Sequence, residues 1–105
     1  MLRIHDVMLD AISTLRPIVR AIERHDRDLA SQLKRAASSV VLNLSEGSGS
    51  FGGMRTQRYR TALGSARETL SCLLVAQRFG YVDAVPDPLV ATMNRVIGTL
   101  VRVAA

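Results

Sequence analysis

The chain has little of what a disulfide framework, an aromatic core or a membrane segment requires. Its 105 residues include one cysteine, no tryptophan, two tyrosines and two phenylalanines. The single thiol, Cys72, excludes an intramolecular disulfide and is typical of a reducing compartment. No apolar run approaches the ~20 residues of a membrane-spanning helix, and the N-terminus lacks the basic and then apolar order of a signal peptide. We therefore expect a cytoplasmic protein that does not enter a membrane.

Lysine is nearly absent as well, although the chain is basic. Arginine supplies thirteen of the 14 Lys and Arg residues, and the formal net charge is +5. The arginine guanidinium is a planar fork whose geometry suits phosphate and carboxylate groups. The charge balance therefore favours an acidic partner, most often nucleic acid. The alternative is a high-GC coding sequence that replaces Lys with Arg without functional consequence.

Aliphatic residues dominate instead, and they recur at helical spacing. A hydrophobic content of 48% excludes a disordered chain, and 105 residues fit one domain. Four amphipathic segments joined by short loops predict an all-α fold, an antiparallel up-down four-helix bundle. We place the helices at about 2–24, 28–46, 54–79 and 88–103.

The first helix carries an apolar seam that continues past a proline. Its members step by three and four residues, and they are Ile4, Met8, Ala11, Leu15, Ile18 and Ile22. Pro17 removes a backbone donor, so we expect a kink at that point. Two shorter helices that meet near Arg16 are the alternative. The seam keeps its phase across Pro17, which favours one helix.

Turn residues predict where the helices begin and end. Asp26 or Asp28 can cap the second helix, because a carboxylate there accepts hydrogen bonds from free backbone amides. Gly80 is placed as the residue that ends the third helix. Asp87 is expected to cap the fourth, with Pro88 at its first position. The expected inner face of the third helix consists of Tyr59, Leu63, Ala66, Leu70, Leu73 and Gln77.

The stretch from Leu33 to Gly53 is central to the predicted organisation. Its segment S-S-V-V-L-N-L can pass for a buried strand, but the 3.6-residue pattern that starts at Leu29 is long enough to favour a helix. Four of the seven residues from Gly47 to Gly53 are glycine. We therefore expect the helix to end there.

The same glycines match the letters of a dinucleotide-binding motif, G-x-G-x-x-G, at Gly47, Gly49 and Gly52. That motif follows a strand directly, whereas a helix is predicted before it here, so we reject a nucleotide site. Backbone amides of this loop, beside Arg55 and Arg58, could still hold a phosphate. A flexible connector is the simpler interpretation.

No catalytic or metal-binding constellation is evident. His5 and His25 lie twenty residues apart, and the only thiol is distant from both, so no metal-ligand spacing exists. Each histidine precedes an aspartate, but no serine occupies a nucleophile turn. We therefore expect no enzymatic activity, no metal and no cofactor.

The basic residues are ordered along the predicted helices. Four arginines step by three and four residues along the first helix and into the next turn, and further cations lie on the second and third helices. The candidate nucleic-acid-binding residues are Arg16, Arg20, Arg24, Arg27, Lys34, Arg35, Arg55 and Arg58. With no exposed aromatic set evident for stacking, they would read backbone shape rather than base sequence. The alternative is a solvated face, which Glu23, Asp26 and Asp28 partly offset.

Two motifs resemble those of a known family of helical proteins. The segment 28–47, D-L-A-S-Q-L-K-R-A-A-S-S-V-V-L-N-L-S-E-G, resembles the four-helix-bundle proteins encoded in bacterial ribosomal-RNA intervening sequences. The segment 62–68, A-L-G-S-A-R-E, is similar to the family's later Ala-x-Gly-Ser-x-x-Glu. The departures are Leu44 for isoleucine and Ser45 for alanine. The first motif is matched by Gln32, Leu33, Arg35, Ala36, Ser39, Asn43, Glu46 and Gly47.

The resemblance implies an assembly and partners as well as a fold. The family's bundles form a homopentameric, barrel-like ring, and no enzymatic activity is associated with them. The family includes the accessory proteins of diversity-generating retroelements, which bind a reverse transcriptase and nucleic acid through a basic surface. We therefore expect a non-enzymatic oligomeric adaptor that binds RNA or DNA through the arginine-rich surface, alongside a protein partner such as a reverse transcriptase.

The alternative function is a structural or protein–protein interaction bundle with no nucleic-acid ligand. Arginines clustered on one face would favour the adaptor. Arginines dispersed evenly, each beside an acidic residue, would favour the alternative.

The two motifs also carry polar residues that need partners. We expect Asn43, Glu46 and Glu68 to form a polar cluster with Arg35 or Arg58, at or beside a subunit interface. Buried polar groups of this kind can fix register at some cost in stability. The alternative is an exposed Glu46 near the C-terminal end of a helix, where the helix dipole disfavours an anion.

Overall fold

The computed structural model describes residues 1–105 as four α-helices with no strand. The helices are α1, Ile4–Glu23, α2, Arg27–Ser48, α3, Gly52–Arg78, and α4, Asp87–Val103. α2 packs against α1 and α3, and α4 packs against the same two helices. The domain measures 42 × 24 × 20 Å, and one apolar core runs along its length. The prediction of a single all-α domain with four helices is confirmed. None of the four helices is long and apolar enough to cross a membrane.

α1 is one helix that runs through Pro17, so the alternative of two shorter helices is wrong. Pro17 is exposed, and its missing amide hydrogen therefore leaves no unpaired group in the core. The apolar seam differs from the prediction at one position. The structure buries Val19 and leaves Ile18 only partly buried. At 3.6 residues per turn, one face of a helix includes two successive steps of four residues before the next step of three.

The segment S-S-V-V-L-N-L is helical, so the strand alternative is also wrong. α2 and α3 both extend further into the glycine-rich segment than predicted. Only Gly49 to Phe51 lie outside the two helices. The last turn of α2 is stabilised by two hydroxyl groups: that of Ser48 donates to the Ser45 carbonyl, and that of Ser50 donates to the Glu46 carbonyl, both at 2.8 Å. These hydrogen bonds replace the backbone donors that a helix end lacks.

Two of the predicted turn residues are confirmed, and one is wrong. The Asp26 Oδ1 accepts a hydrogen bond from the Leu29 amide at 2.9 Å and caps α2. Gly80 has φ +75°, a left-handed conformation that glycine adopts without strain. Asp87 is the first helical residue of α4 and makes no cap hydrogen bond. The helix starts one residue early because the Pro86 carbonyl accepts from the amides of Leu89 and Val90.

The inner face of α3 is made of smaller residues than predicted. Leu63 and Leu70 are only partly buried and Gln77 is exposed, although the Gln77 side-chain oxygen accepts from the Val85 amide at 3.2 Å. Small side chains let neighbouring helices approach α3 closely, which pushes the larger leucines to the edge of the contact. The buried residues of α3 are Tyr59, Ala62, Ala66, Thr69, Cys72, Leu73 and Ala76.

Candidate functional site

A groove between α1 and α2 gathers three of the predicted cations. Arg16 and Arg20 come from α1 and Lys34 comes from α2. The groove has a volume of about 300 Å³, and Leu15 and Leu33 are among the apolar residues that line it. Arg16 and Arg20 share this groove because residues four apart lie on one face of a helix. Lys34 could be placed beside them only from the packing of the two helices.

A second groove lies on the other side of Lys34, along the α2–α3 contact. It is shallow, with a volume of about 550 Å³, and Lys34, Arg35 and Arg58 line it with Leu42 and several polar side chains. Lys34 borders both grooves. Five of the eight predicted cations therefore line two grooves that adjoin at α2, namely Arg16, Arg20, Lys34, Arg35 and Arg58.

Most of these cations have no acidic partner. Only Arg58, of the 14 Lys and Arg residues, forms an ion pair with a carboxylate, from its Nη2 to Glu46 Oε2 at 2.9 Å. Glu23 lines the first groove but pairs with neither arginine beside it. The positive charge of the first groove is therefore uncompensated by ion pairs within the chain.

The other three predicted cations lie outside the two grooves. Arg24 and Arg27 are exposed on either side of the α1–α2 turn. Arg55 folds back on the α2–α3 turn, where its Nε donates to the Gly47 carbonyl at 3.2 Å. Its guanidinium carbon lies 5.8 Å from the centre of the Phe51 ring. Arg55 therefore supports the turn, and it is not a free cation like the arginines of the first groove.

The glycine-rich turn has fewer free donors for a phosphate than its sequence allowed. The amides of Gly49 and Ser50 already donate to the carbonyls of Glu46 and Gly47, at 3.2 and 3.1 Å. Arg58 is paired with Glu46. The amides of Gly52, Gly53 and Met54 at the start of α3 form no hydrogen bond within the chain, so a phosphate site at this helix start stays a prediction.

The predicted cluster of Asn43, Glu46 and Glu68 is not one cluster. Glu46 pairs with Arg58 and not with Arg35. Glu68 lies ten residues beyond Arg58 on α3, about 15 Å along the helix, and its carboxylate accepts from the side-chain amide of Gln32 at 3.0 Å. Glu46, Glu68 and their two partners are exposed, whereas Asn43 is partly buried. The motif residues are instead distributed along the α2–α3 contact.

Between these two contacts lies a third one, built on Ser39. The Asn43 side-chain nitrogen donates to the Ser39 carbonyl at 2.9 Å and to its hydroxyl at 3.1 Å. The Ser65 hydroxyl of α3 donates to the Ser39 hydroxyl at 2.7 Å. Sequence reasoning missed Ser39 and Ser65 as partners across the helices.

A spacing in the sequence could have predicted these polar contacts between α2 and α3. Gln32, Ser39 and Glu46 stand seven residues apart on α2, and so do Arg58 and Ser65 on α3. Residues seven apart lie on one face of a helix, two turns along it. Polar residues at that period on two neighbouring helices predict a line of polar contacts between them.

An exposed aromatic set exists, contrary to the expectation from the sequence. The rings of His25 and Tyr81 stack at 5.1 Å between centres and 7° between planes, and those of Phe79 and Tyr81 at 5.4 Å and 15°. Phe79 is 69% exposed. The sequence concealed the set because His25 lies in the α1–α2 turn, more than fifty residues before the other two rings.

Cys72 and the histidines are the remaining residues that the sequence analysis considered for catalysis or metal binding. Burial raises the pKa of the Cys72 thiol, and the Glu68 carboxylate raises it further. The thiol therefore remains protonated at neutral pH. Because only the thiolate form of cysteine is nucleophilic, Cys72 is unreactive there. His5 Nδ1 lies 3.0 Å from Asp6 Oδ1 at the surface. No three His, Cys, Asp or Glu residues lie close enough together to hold a metal ion.

Comparison with known proteins gives one match. No curated protein and no solved structure matches the chain significantly. The family model described as 23S rRNA-intervening sequence protein matches residues 6–101, a range that contains both sequence motifs and nearly all of the four helices. The chain belongs to the 23S rRNA-intervening sequence protein family.

Proposed function

We propose that this protein is a non-enzymatic, cytoplasmic adaptor that binds the phosphate backbone of RNA or DNA through the two grooves beside α2. The observation that carries this proposal is the groove in which Arg16, Arg20 and Lys34 meet without an ion pair. Three like charges on one groove repel one another, and a polyanion that neutralises them also releases its own bound counterions. Arg35 extends the same charge around α2.

The proposed adaptor is a homo-oligomer, with the pentameric ring as the assembly that the resemblance implies. Support comes from large apolar side chains that the single chain leaves exposed, among them Leu9 of α1 and Leu74 and Val75 of α3. Self-association would remove such surface from water. A protein partner such as a reverse transcriptase would bind to the assembled ring.

We also propose that successive helices run in opposite directions. Two contacts support this order. The His25 ring of the α1–α2 turn stacks on Tyr81 of the α3–α4 loop, which brings those connections to one end. Arg60, near the start of α3, donates from its Nε to the Ala104 carbonyl just beyond α4 at 3.2 Å.

The test of nucleic-acid binding is a salt series with labelled structured RNA and duplex DNA. Each phosphate contact on duplex DNA contributes about 0.9 to the slope of log K against log salt. A variant with Arg16→Ala, Arg20→Ala and Lys34→Ala should therefore bind more weakly and lose roughly 3 from that slope. Quantitative binding curves at several salt concentrations measure both effects.

The matched control removes the same charge elsewhere. Arg3, Arg67 and Arg95 are exposed and form no ion pair, and none lines either groove. Their triple alanine variant should lower affinity much less than the groove variant. Equal losses in the two variants would mean that net charge, and not the groove, governs binding, and would contradict the proposal.

The second candidate function is a protein-interaction bundle without a nucleic-acid ligand. The exposed side chains of Phe51 and Met54 at the α2–α3 turn favour it, because apolar groups at a turn are available to a protein partner. Absence of nucleic-acid binding at low salt would leave this candidate in place of the adaptor.

A further inference from the structure

The stack of His25, Tyr81 and Phe79 is held in place by the end of α3. The Gly80 amide donates to the Gln77 carbonyl and the Tyr81 amide donates to the Ala76 carbonyl, at 3.0 and 2.9 Å. This pair of hydrogen bonds is the Schellman motif, which fixes the chain direction after a helix. Tyr81 is therefore turned back to meet His25, and the three ring planes are nearly parallel.

The outer ring of this stack is not part of the core. Phe79 is 69% exposed, while Tyr81 is half-buried and packs against the core cluster. Phe79 also borders a shallow depression with Leu74, Val75 and Arg78. Burial of Phe79 in the folded chain thus contributes little stability, and its flat ring remains open to a ligand.

Cations surround the stack. Arg24 precedes His25, Arg78 precedes Phe79, and Arg27 begins α2 just beyond the turn. None of the three forms an ion pair. Four carboxylates also lie in this region. Glu23 and Asp28 flank Arg24 and Arg27 in the sequence, Asp26 is engaged as the cap of α2, and Asp83 lines a second depression with His25 and Tyr81.

The stack also adjoins the arginines of the first groove. Arg24 follows Arg16 and Arg20 at steps of four residues, each about 6 Å along a helix. A strand whose phosphates contact these arginines would bring its next base to the end of α1, where His25 lies. An acidic peptide would match the cations, but only a flat aromatic group matches the open ring as well.

We propose that Phe79, supported by Tyr81 and His25, is a stacking platform for an unpaired nucleobase. The ligand is therefore single-stranded RNA or DNA where it meets this end of the bundle. The inference rests on the proposed nucleic-acid function and adds to it a contact with bases, which the arginines alone do not make. Stacking of this kind accepts any base, because every base has an aromatic face.

The test compares two short ligands that carry the same number of phosphates, an oligothymidylate and an abasic chain of equal length. The full-length protein should bind the oligothymidylate about 10-fold more tightly, as expected for one stacked base. Phe79→Ala should remove this difference and leave affinity for the abasic chain unchanged. Phe79→Tyr should retain it, and Val101→Ala, an exposed apolar truncation on α4, should not affect it. Fluorescence anisotropy gives the affinities, and circular dichroism checks that each variant keeps its helices.

The outcomes separate this inference from the proposed function. If the protein binds both ligands equally, or if Phe79→Ala weakens both by the same factor, the platform is wrong while backbone binding stands. If the protein binds neither ligand nor duplex DNA at low salt, both proposals are wrong. Arg16→Ala should weaken both ligands by a common factor, since it removes a phosphate contact only.

Discussion

Gly47 is the residue at which α2 leaves no room for a side chain. A Cβ atom built there would overlap the ring of Tyr59 and lie 3.3 Å from the Cβ of Arg58. Tyr59 is buried, so its ring cannot move aside without disturbing the core. The glycine that the sequence assigned to a helix end thus lies inside α2 and allows α3 to pack closely against it.

Gly47→Ala should therefore destabilise the protein by about 1–2 kcal/mol, because overpacking outweighs the better helix propensity of alanine. Gly64→Ala is the matched control, since Gly64 lies within α3 with nothing within 4 Å of an added Cβ. That change should stabilise by about 0.5–1 kcal/mol. Urea unfolding measures both, and equal free energies of unfolding for the two variants would contradict the close contact.

The Glu46–Arg58 ion pair offers a second test at the scale of single residues. Both side chains are about half-exposed, and an exposed pair contributes only about 0–1 kcal/mol to a folded chain. If the pair lies at or beside the proposed subunit interface, Glu46→Gln should weaken self-association in sedimentation much more than it lowers unfolding stability. Glu23→Gln, which removes the same charge from α1, should leave the oligomer intact. If Glu46→Gln changes neither the oligomer nor the unfolding stability, the interface hypothesis is wrong.

Among the elements, α2 depends most clearly on its first turn. Asp26→Ala removes the carboxylate that accepts from the Leu29 amide and should cost about 1 kcal/mol of stability. Asp28→Ala is the control, because Asp28 lies in the same turn without a cap hydrogen bond and should cost only a few tenths through the helix dipole. Thermal or urea unfolding distinguishes them. A cost for Asp28→Ala as large as that for Asp26→Ala would show that charge, and not the cap, matters here.

Local signals explain which elements could be predicted from the sequence. The cap at Asp26 and the helix end at Gly80 follow from the chemistry of a few neighbouring residues, and the four helices follow from apolar periodicity. The ends of α2 and α3 could not be predicted as well, because the hydroxyls of Ser48 and Ser50 prolong a helix that glycine alone would end. The small inner face of α3 depends on how closely its neighbours approach, which no single segment encodes.

The candidate site was predictable only in part for the same reason. The stripe of Arg16 and Arg20 is visible in the spacing of one helix. The proximity of Lys34 to that stripe, and of His25 to Tyr81, depends on packing between elements distant in sequence. The line of polar contacts between α2 and α3 was predictable only in part. The seven-residue spacing on each helix can be read from the sequence, but which residue of α2 contacts which residue of α3 cannot.

At the scale of the whole molecule, the cationic grooves and the exposed aliphatic side chains near the end of α3 are made of different residues. Unpaired cations line the grooves beside α2, whereas Leu74 and Val75 expose apolar surface near the end of α3. A single arginine is paired with a carboxylate, so ion pairs within the chain do not neutralise the other cations. This distribution is what an adaptor requires, with one surface for a polyanion and others for self-association or a protein partner.

The most direct test of this account is the salt dependence of binding to labelled structured RNA and duplex DNA. The account predicts saturable binding in which log K falls linearly with log salt, and a loss of roughly 3 from the duplex-DNA slope when Arg16, Arg20 and Lys34 are all replaced by alanine. The triple variant of Arg3, Arg67 and Arg95 should retain nearly the full slope. No binding at low salt, or the same loss in both triple variants, would contradict it.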